Sequence, residues 1–259
     1  MGKRGVTVVK VGGSTWDSRD AALDDLVTLQ KDAWPLVVVH GGGSLISRWL
    51  EAHGVESAFV GGLRRTDEKA LPVVVAVLAG LVNKEIVAGV NGLGGRAIGL
   101  SGADCELIRA RRIPELGLVG EIESVRSEML LPLLEVGYMP VVAPIAIECV
   151  NGEPRPQLLN VNADTVAGEV AAAVKAEFLV FLTDVPGILD GEGRVVGRLP
   201  AEQAAAMTDA GTIVGGMLPK VEACLRAAAA GATSLIVDGR QPSALKAALE
   251  GRVAGTRVG

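Results

Sequence analysis

The chain is short of the residues that carry redox, metal or nucleophilic chemistry. Its three cysteines, Cys105, Cys149 and Cys224, lie far apart and form no Cys-x-x-Cys pair. That excludes a disulfide framework and a cysteine zinc cluster, and leaves small buried thiols in a cytoplasmic protein as the expectation. The two histidines are His40 and His53. No Gly-x4-Gly-Lys-Ser/Thr phosphate loop occurs, and Gly99-Leu-Ser-Gly-Ala103 fails the spacing of a serine nucleophile elbow. Gly92-Leu-Gly-Gly-Arg-Ala97 matches Gly-x-Gly-x-x-Ala, but it follows a helical pattern and precedes a strand, the reverse of a dinucleotide site. A formal net charge of -5 supplies no basic face for nucleic acid. The apolar stretch Leu71–Val82 contains Pro72 and Gly80 and stops at Asn83-Lys84-Glu85, short of the roughly 18 uninterrupted apolar residues of a membrane span. A strand-like run starts at Val6, so no secretion signal is expected.

Hydrophobic residues make up 49% of the sequence and aromatics only 3%. The core must be built from Val, Leu, Ile and Ala, as in parallel sheets buried on both faces. The 259 residues suit one large α/β domain or two closely packed lobes. Strand runs are expected at Val6–Val11, Leu36–Val39, Ala97–Leu100, Tyr138–Ala143, Phe178–Thr183 and Ser234–Val237, with a last edge strand at Thr256–Val258. Hairpins are expected at Phe59–Thr66, Cys105–Val125 and Ile145–Leu159, the last turning at Asn151-Gly152. Helical spacing covers Asp20–Lys31, Ser44 to about Gly54 with Ser44 as cap, Asp67 to about Asn91, and Glu128–Val136. It returns in an Ala-rich helix starting at Asn162 or Asp164, and in Pro200–Ala210, Pro219–Ala230 and Ser243–Leu249. Strands alternating with helices predict a mostly parallel sheet covered on both sides, with ligands at the carboxyl ends of its strands.

Several charged and glycine-rich positions fall at those ends. Lys10 closes an apolar strand directly before Val11-Gly12-Gly13, where a cation is costly unless it meets an anion. His40-Gly41-Gly42-Gly43 joins a buried strand to a helix start, and so offers backbone N–H groups backed by a helix dipole. For His40, orienting the loop through a backbone hydrogen bond is favoured over acid–base work. His53 belongs at the far end of the following helix. Arg64-Arg65 follow Gly61-Gly62; a guanidinium suits a carboxylate, and two solvated arginines are the plainer reading. In Asn160-Val-Asn162-Ala-Asp164, a helix cap explains one polar group, while the alternate spacing could point Asn160 and Asp164 into one cleft. Gly215-Gly-Met-Leu-Pro-Lys220 puts a lysine in the first turn of a helix, against the helix dipole, which hints at a phosphate.

In order, Lys10-Val-Gly-Gly, His40-Gly-Gly-Gly, Gly62-Leu-Arg64, Asn160-Val-Asn-Ala-Asp164, Thr183-Asp-Val-Pro-Gly-Ile-Leu189 and Gly216-Met-Leu-Pro-Lys220 resemble the amino acid kinase family over nearly the whole chain. The resemblance implies an α/β three-layer α-β-α sandwich. It implies a single domain with an approximate N-lobe, 1–160, for the acyl acceptor and a C-lobe, 161–259, for ATP. The Gly-Leu-Arg and Asn-x-Asn-Ala-Asp elements resemble the branch that phosphorylates the γ-carboxylate of N-acetyl-L-glutamate with ATP and Mg²⁺, a step of arginine biosynthesis. Residues carry over where the motifs match. Lys10, Lys220 and Asp164 would be catalytic, the lysines neutralising the transferring phosphoryl group and Asp164 orienting them. Gly12 and Gly13 would bind phosphate. Gly42, Gly43, Arg64 and Asn160 would bind the acceptor. Asp184, Val185, Pro186, Gly187, Ile188 and Leu189, with Thr212, Ile213 and Val214, would line the nucleotide site.

The chemistry agrees with such a site. A carboxylate acceptor is already ionised at neutral pH, so alignment and charge stabilisation suffice and no reactive Ser, Cys or His is needed. Arginine-inhibited relatives carry an extra helix before the first strand; few residues precede Val6 here, and the segment from Gly239 to Leu245 lacks a histidine often found in them. A homodimer with little feedback inhibition is therefore expected, with no membrane or nucleic-acid partner. A related kinase acting on a carrier-protein-linked aminoadipate or glutamate, and a non-catalytic amino-acid and nucleotide sensor, are the alternatives. Retention of both Lys10 and Lys220 ranks the sensor low.

Overall fold

The computed structural model describes residues 4–12, 19–213, 215–252 and 255–259. Along the chain run β1 (Thr7–Val11), α1 (Arg19–Lys31), β2 (Leu36–His40), α2 (Gly43–Ala52) and the hairpin β3 (Ala58–Val60) and β4 (Leu63–Arg65). Next come α3 (Ala70–Val75), a π-helical segment (Ala76–Val82) and α4 (Asn83–Gly92), which form one continuous rod. They are followed by β5 (Ala97–Ser101), β6 (Ile108–Arg112), β7 (Gly120–Val125), α5 (Leu130–Glu135), β8 (Met139–Ala143), β9 (Ile145–Val150) and β10 (Glu153–Asn160). The remainder is α6 (Ala163–Ala173), β11 (Phe178–Thr183), β12 (Arg198–Leu199), α7 (Ala201–Asp209), α8 (Leu218–Ala229), β13 (Thr233–Asp238), α9 (Ala244–Leu249) and β14 (Thr256–Val258).

Eight strands form the central sheet in the order β12-β14-β13-β11-β1-β2-β8-β5. Every neighbouring pair is parallel except β13 with β14. All residues of β1, β2 and β8 are buried, as a sheet covered on both faces requires. Alternation divides them between two cores. Val8, Val37 and Phe181 face α6 and α8; Val9, Val38 and Val180 face α1, the long rod and α9. The three-layer expectation holds. Lys10 has the parity of Val8, so its side chain belongs to the α6 face.

The halves of the sheet follow the chain. β1, β2, β8 and β5 come from the first part, and β11 to β14 from the second. A second sheet, β10-β9-β6-β7, contains both expected interior hairpins, and β9 and β10 turn at Asn151 and Gly152, both with positive φ.

Some local expectations need correction. β14 is no edge strand: it lies between β13 and the two-residue β12, which forms the edge. Ser44 does not cap α2, because the helix already begins at Gly43, with Gly42 as a cap that carries no side chain. The rod of residues 70–92 is not uniformly α-helical. It has the length and hydropathy to cross a membrane, but Val74, Val77, Leu78, Val82, Ile86 and Val90 all sit in the core on one side of the sheet, so it reads as a core helix.

α6 and α8 approach unusually closely. A β-carbon on Gly168 would lie 2.8 Å from both Ala223 Cα and Ala223 Cβ. The Ala-rich composition of both helices permits that approach, and it decides how near their N-terminal turns come to each other.

Candidate active site

One turn before Gly168 on α6 stands Asp164, and one turn before Ala223 on α8 stands Lys220. The close crossing brings Lys220 Nζ to 2.9 Å from Asp164 Oδ2. Lys10 Nζ, arriving from the end of β1, lies 2.7 Å from Asp164 Oδ1. One carboxylate thus bridges two ammonium groups from opposite halves of the chain. Asp164 is free for this because Asn162 takes the cap: its Oδ1 accepts from the N–H groups of Asp164 and Thr165 at 2.9 and 3.0 Å. Burial alone would raise the Asp164 carboxyl, but the charges of Lys10 and Lys220 overturn that and hold it below its ordinary value. Burial depresses the Lys10 ammonium against the pull of Asp164. The cluster carries one positive charge more than it neutralises, in a setting where an arriving anion would be welcome.

Lys10 and Asp164 line a cavity of about 220 Å³ together with Gly42, Gly43, Arg64 and Asn160. It is smaller than the ~300–1,000 Å³ of drug-sized pockets and suits a small acid. Arg64 is buried, and burial lowers its affinity for the proton. Its guanidinium donates to Gly43 O at 2.9 Å, to Ser47 Oγ at 2.8 Å and to Ser57 Oγ, and it stacks 4.6 Å from the Phe59 ring centroid. Among the described residues no carboxylate pairs with it. Asn160, at the end of β10, donates through Nδ2 to Thr66 Oγ1 at 3.0 Å, and Thr66 in turn bonds to Arg64 O. A β-carbon on Gly42 would stand 2.9 Å from Leu78 Cδ2, so a larger residue there would have to displace the end of that side chain. Beyond it, the N–H groups of Gly43, Ser44 and Leu45 precede the first intrahelical bond, Ile46 N–H to Gly42 O, and form the positive end of α2.

His40 is fully buried, and burial brings its pKa down to about 4, so the ring is neutral. It contacts Gly41 O through Nδ1 at 3.0 Å, the loop-orienting contact expected of it. His53 ends α2, stacked on Trp49 and remote from this pocket. The Gly12 N–H is already engaged with Leu182 O at 3.2 Å, so in this conformation it extends the sheet and does not offer that donor to a phosphate. Gly13 and Val214 lie outside the described residues.

Asp184 to Leu189 follow β11 at its carboxyl end. Asp184 is exposed, and Thr183 Oγ1 accepts the Val185 N–H at 3.0 Å. Ile188 donates its N–H to Thr256 Oγ1 at 2.8 Å, which ties the segment to β14. Ile188 and Ile213 are side chains of the hydrophobic core, so contact with a nucleotide would fall to their backbones, while Thr212 is exposed. The sequence reading missed Ser47, Ser57, Phe59, Thr66 and Asn83. Of these, Asn83 left a signal: an amide at the point where a long apolar helix run stops.

The sequence matches the amino acid kinase family over residues 5–238. An acetylglutamate kinase of Dehalococcoides mccartyi strain CBDB1 is 43% identical over 98% of this chain and 94% of its own length. One from Synechococcus sp. strain RCC307 is 45% identical over 92% of this chain and 82% of its own length. Among solved structures, smu.665 from Streptococcus mutans UA159 superposes with a TM-score of 0.82 at 26% identity, covering 98% of each chain. Three of the motifs that carried the resemblance supply Lys10, Asp164 and Lys220 of the bridge, and the match extends through both halves of the sheet. The chain belongs to the amino acid kinase family.

Proposed function

We propose that this protein transfers the γ-phosphoryl group of ATP to the γ-carboxylate of N-acetyl-L-glutamate, giving N-acetyl-L-glutamyl 5-phosphate and ADP. The observation that carries this reading is the Lys10–Asp164–Lys220 bridge at a cavity that is also lined by a buried Arg64 with no carboxylate partner among the described residues. Two kinases that share over 40% of their residues with this chain carry that activity in their names.

In this reading the acceptor's α-carboxylate sits against Arg64, with Asn160 beside it, and its γ-carboxylate points toward Lys10. That carboxylate is ionised at neutral pH and attacks the γ-phosphorus without a general base. A carboxylate O–P bond forms as the bond from phosphorus to the bridging oxygen breaks, and ADP leaves with the electron pair. Lys10 and Lys220 balance charge on the phosphoryl oxygens, the α2 N-terminus with Gly42 and Gly43 donates backbone hydrogen bonds, and Asp164 keeps both ammonium groups aligned. Mg²⁺ would enter with ATP and supply further phosphate neutralisation. Among the described residues no group of three or more His, Cys, Asp or Glu is placed to hold a metal ion.

The acceptor cavity is built mainly by the first part of the chain, and the segments assigned to the nucleotide lie on the β11–β14 half. This supports the division into an acceptor lobe, 1–160, and an ATP lobe, 161–259. The family resemblance adds a homodimer, which light scattering would read. The deciding assay is ADP release from Mg-ATP with N-acetyl-L-glutamate, L-glutamate, L-aspartate and N-acetyl-aminoadipate. Turnover confined to N-acetyl-L-glutamate is expected; turnover of another acceptor alone would overturn the acceptor assignment.

A further inference from the structure

Asn83 is a buried amide at the junction of the π-helical segment with α4. Its Nδ2 lies 2.8 Å from Val141 O, 3.2 Å from Leu100 O and 3.3 Å from His40 Nε2. Its Oδ1 accepts from Lys84 Nζ at 3.0 Å. Two carbonyl oxygens can only accept, so the nitrogen of the amide must face them; its two hydrogens serve all three contacts, the longest, to His40 Nε2, through a shared hydrogen, and a proton on Nε2 would point into them. His40 therefore carries its proton on Nδ1, where the Gly41 carbonyl receives it at 3.0 Å. The chain of donors has one consistent direction: Asn83 to His40 to Gly41. Room for the amide comes from Gly99 on β5, whose β-carbon would stand 2.0 Å from Asn83 Oδ1. The π-helical segment also places Leu78 where a β-carbon on Gly42 would meet it, and such turns recur at functional sites.

We infer that Asn83 is a positioning residue for phosphoryl transfer: through the His40 tautomer it holds the Gly41 carbonyl, and thereby aims the Gly42 and Gly43 backbone at the cavity. Asn83 touches no substrate. Its effect falls on the alignment of donors that act in the transition state, so it should reside in kcat. The inference rests on the reading of the glycine loop as part of the transfer site.

The test uses the full-length protein, which has only two histidines. Ring ¹⁵N spectra of the wild type should show His40 as the Nδ1–H tautomer. Asn83→Leu should move it toward Nε2–H and shift the Gly42 and Gly43 amide signals. Gly99→Ala displaces the amide from behind and should do the same, and it serves if Asn83→Leu does not fold. In ADP-release assays kcat should fall at least about tenfold in either variant, with both KM values within about twofold. In a His40→Leu background, Asn83→Leu should cost nothing further. An unchanged tautomer, or unmoved glycine amides, overturns the relay whatever the activity. A changed tautomer with wild-type kcat, or additive losses in the double variant, overturns the positioning role. A wild type without kinase activity would sink the proposed function alone, and the amide signals would still decide the relay.

Discussion

Gly168 and Ala223 are in direct contact across the α6–α8 crossing, with no room for a β-carbon between them. This contact sets the spacing of the two helices one turn before it, where Asp164 and Lys220 meet. Gly168→Val should force the helices apart, lower stability by about 1–3 kcal/mol as overpacking does, and reduce kcat more than Gly168→Ala. Thermal unfolding and ADP release, measured on the same samples, would check it. A Gly168→Val enzyme with unaltered kcat would show that the crossing does not set the Lys220–Asp164 distance.

Asp164 is the only carboxylate seen to pair with Lys10 and Lys220 among the described residues. Asp164→Ala leaves buried Lys10 without its counter-charge, and a loss of about 3–5 kcal/mol is expected in denaturant unfolding, as for other broken buried pairs. Added Mg-ATP should recover part of that stability, because phosphate replaces the missing negative charge.

Lys220 stands where charge builds on the transferring phosphoryl group. Lys220→Ala should lower kcat about 100-fold or more, with a much smaller change in acceptor KM. An unchanged kcat would refute its role in the transition state.

Arg64 is held in place by Gly43 O, Ser47 and Ser57 before any ligand arrives. Arg64→Lys keeps the charge but loses the fork. It should raise the acceptor KM about 10–100-fold, as loss of a charge-assisted hydrogen bond does, and leave the ATP KM within roughly twofold. Equal effects on both substrates would place Arg64 outside the acceptor site.

His40 also predicts how stability depends on pH. Its pKa falls from 6.5 to about 4 on folding because the ring is buried. The unfolded chain binds the extra proton first as pH falls, so the contribution of His40 is complete above about 6.5 and is lost between there and about 4. The loss is on the order of 3 kcal/mol. Chemical unfolding at pH 7.5 and 4.5 should show it, and His40→Gln should flatten the slope by that amount. The Asp164 carboxyl, held low by its lysines despite burial, adds a second loss at still lower pH, below its ordinary 3.8.

Much of the frame was legible in the residue order. Runs such as Leu36–Val39 are apolar throughout, and such runs belong to strands buried on both faces. Lys10 and Lys220 stood out because each occupies a position where a cation is costly alone. Asn162 and Asp164 could not be separated from sequence, since either could cap α6; the ladder of α6 assigns the cap to Asn162 and leaves Asp164 to the lysines. Arg64 read most simply as a solvated arginine, because nothing in Gly62-Leu-Arg shows that Ser47, Ser57 and Phe59 will close around it. The edge position of β12 was invisible in a two-residue strand.

The sequence by itself determined the long buried strands, where the glycine turns would fall, and that unusual charges would lie near the carboxyl ends of the sheet. These follow from local backbone preference and from the period of burial, both of which are carried within a few residues. Only the tertiary structure decided which charges share a partner, which N–H groups are already taken, and which groups meet the two ring nitrogens of His40. Desolvation and hydrogen-bond partners depend on strand order and on how closely helices cross, and those are set by residues far apart in the chain.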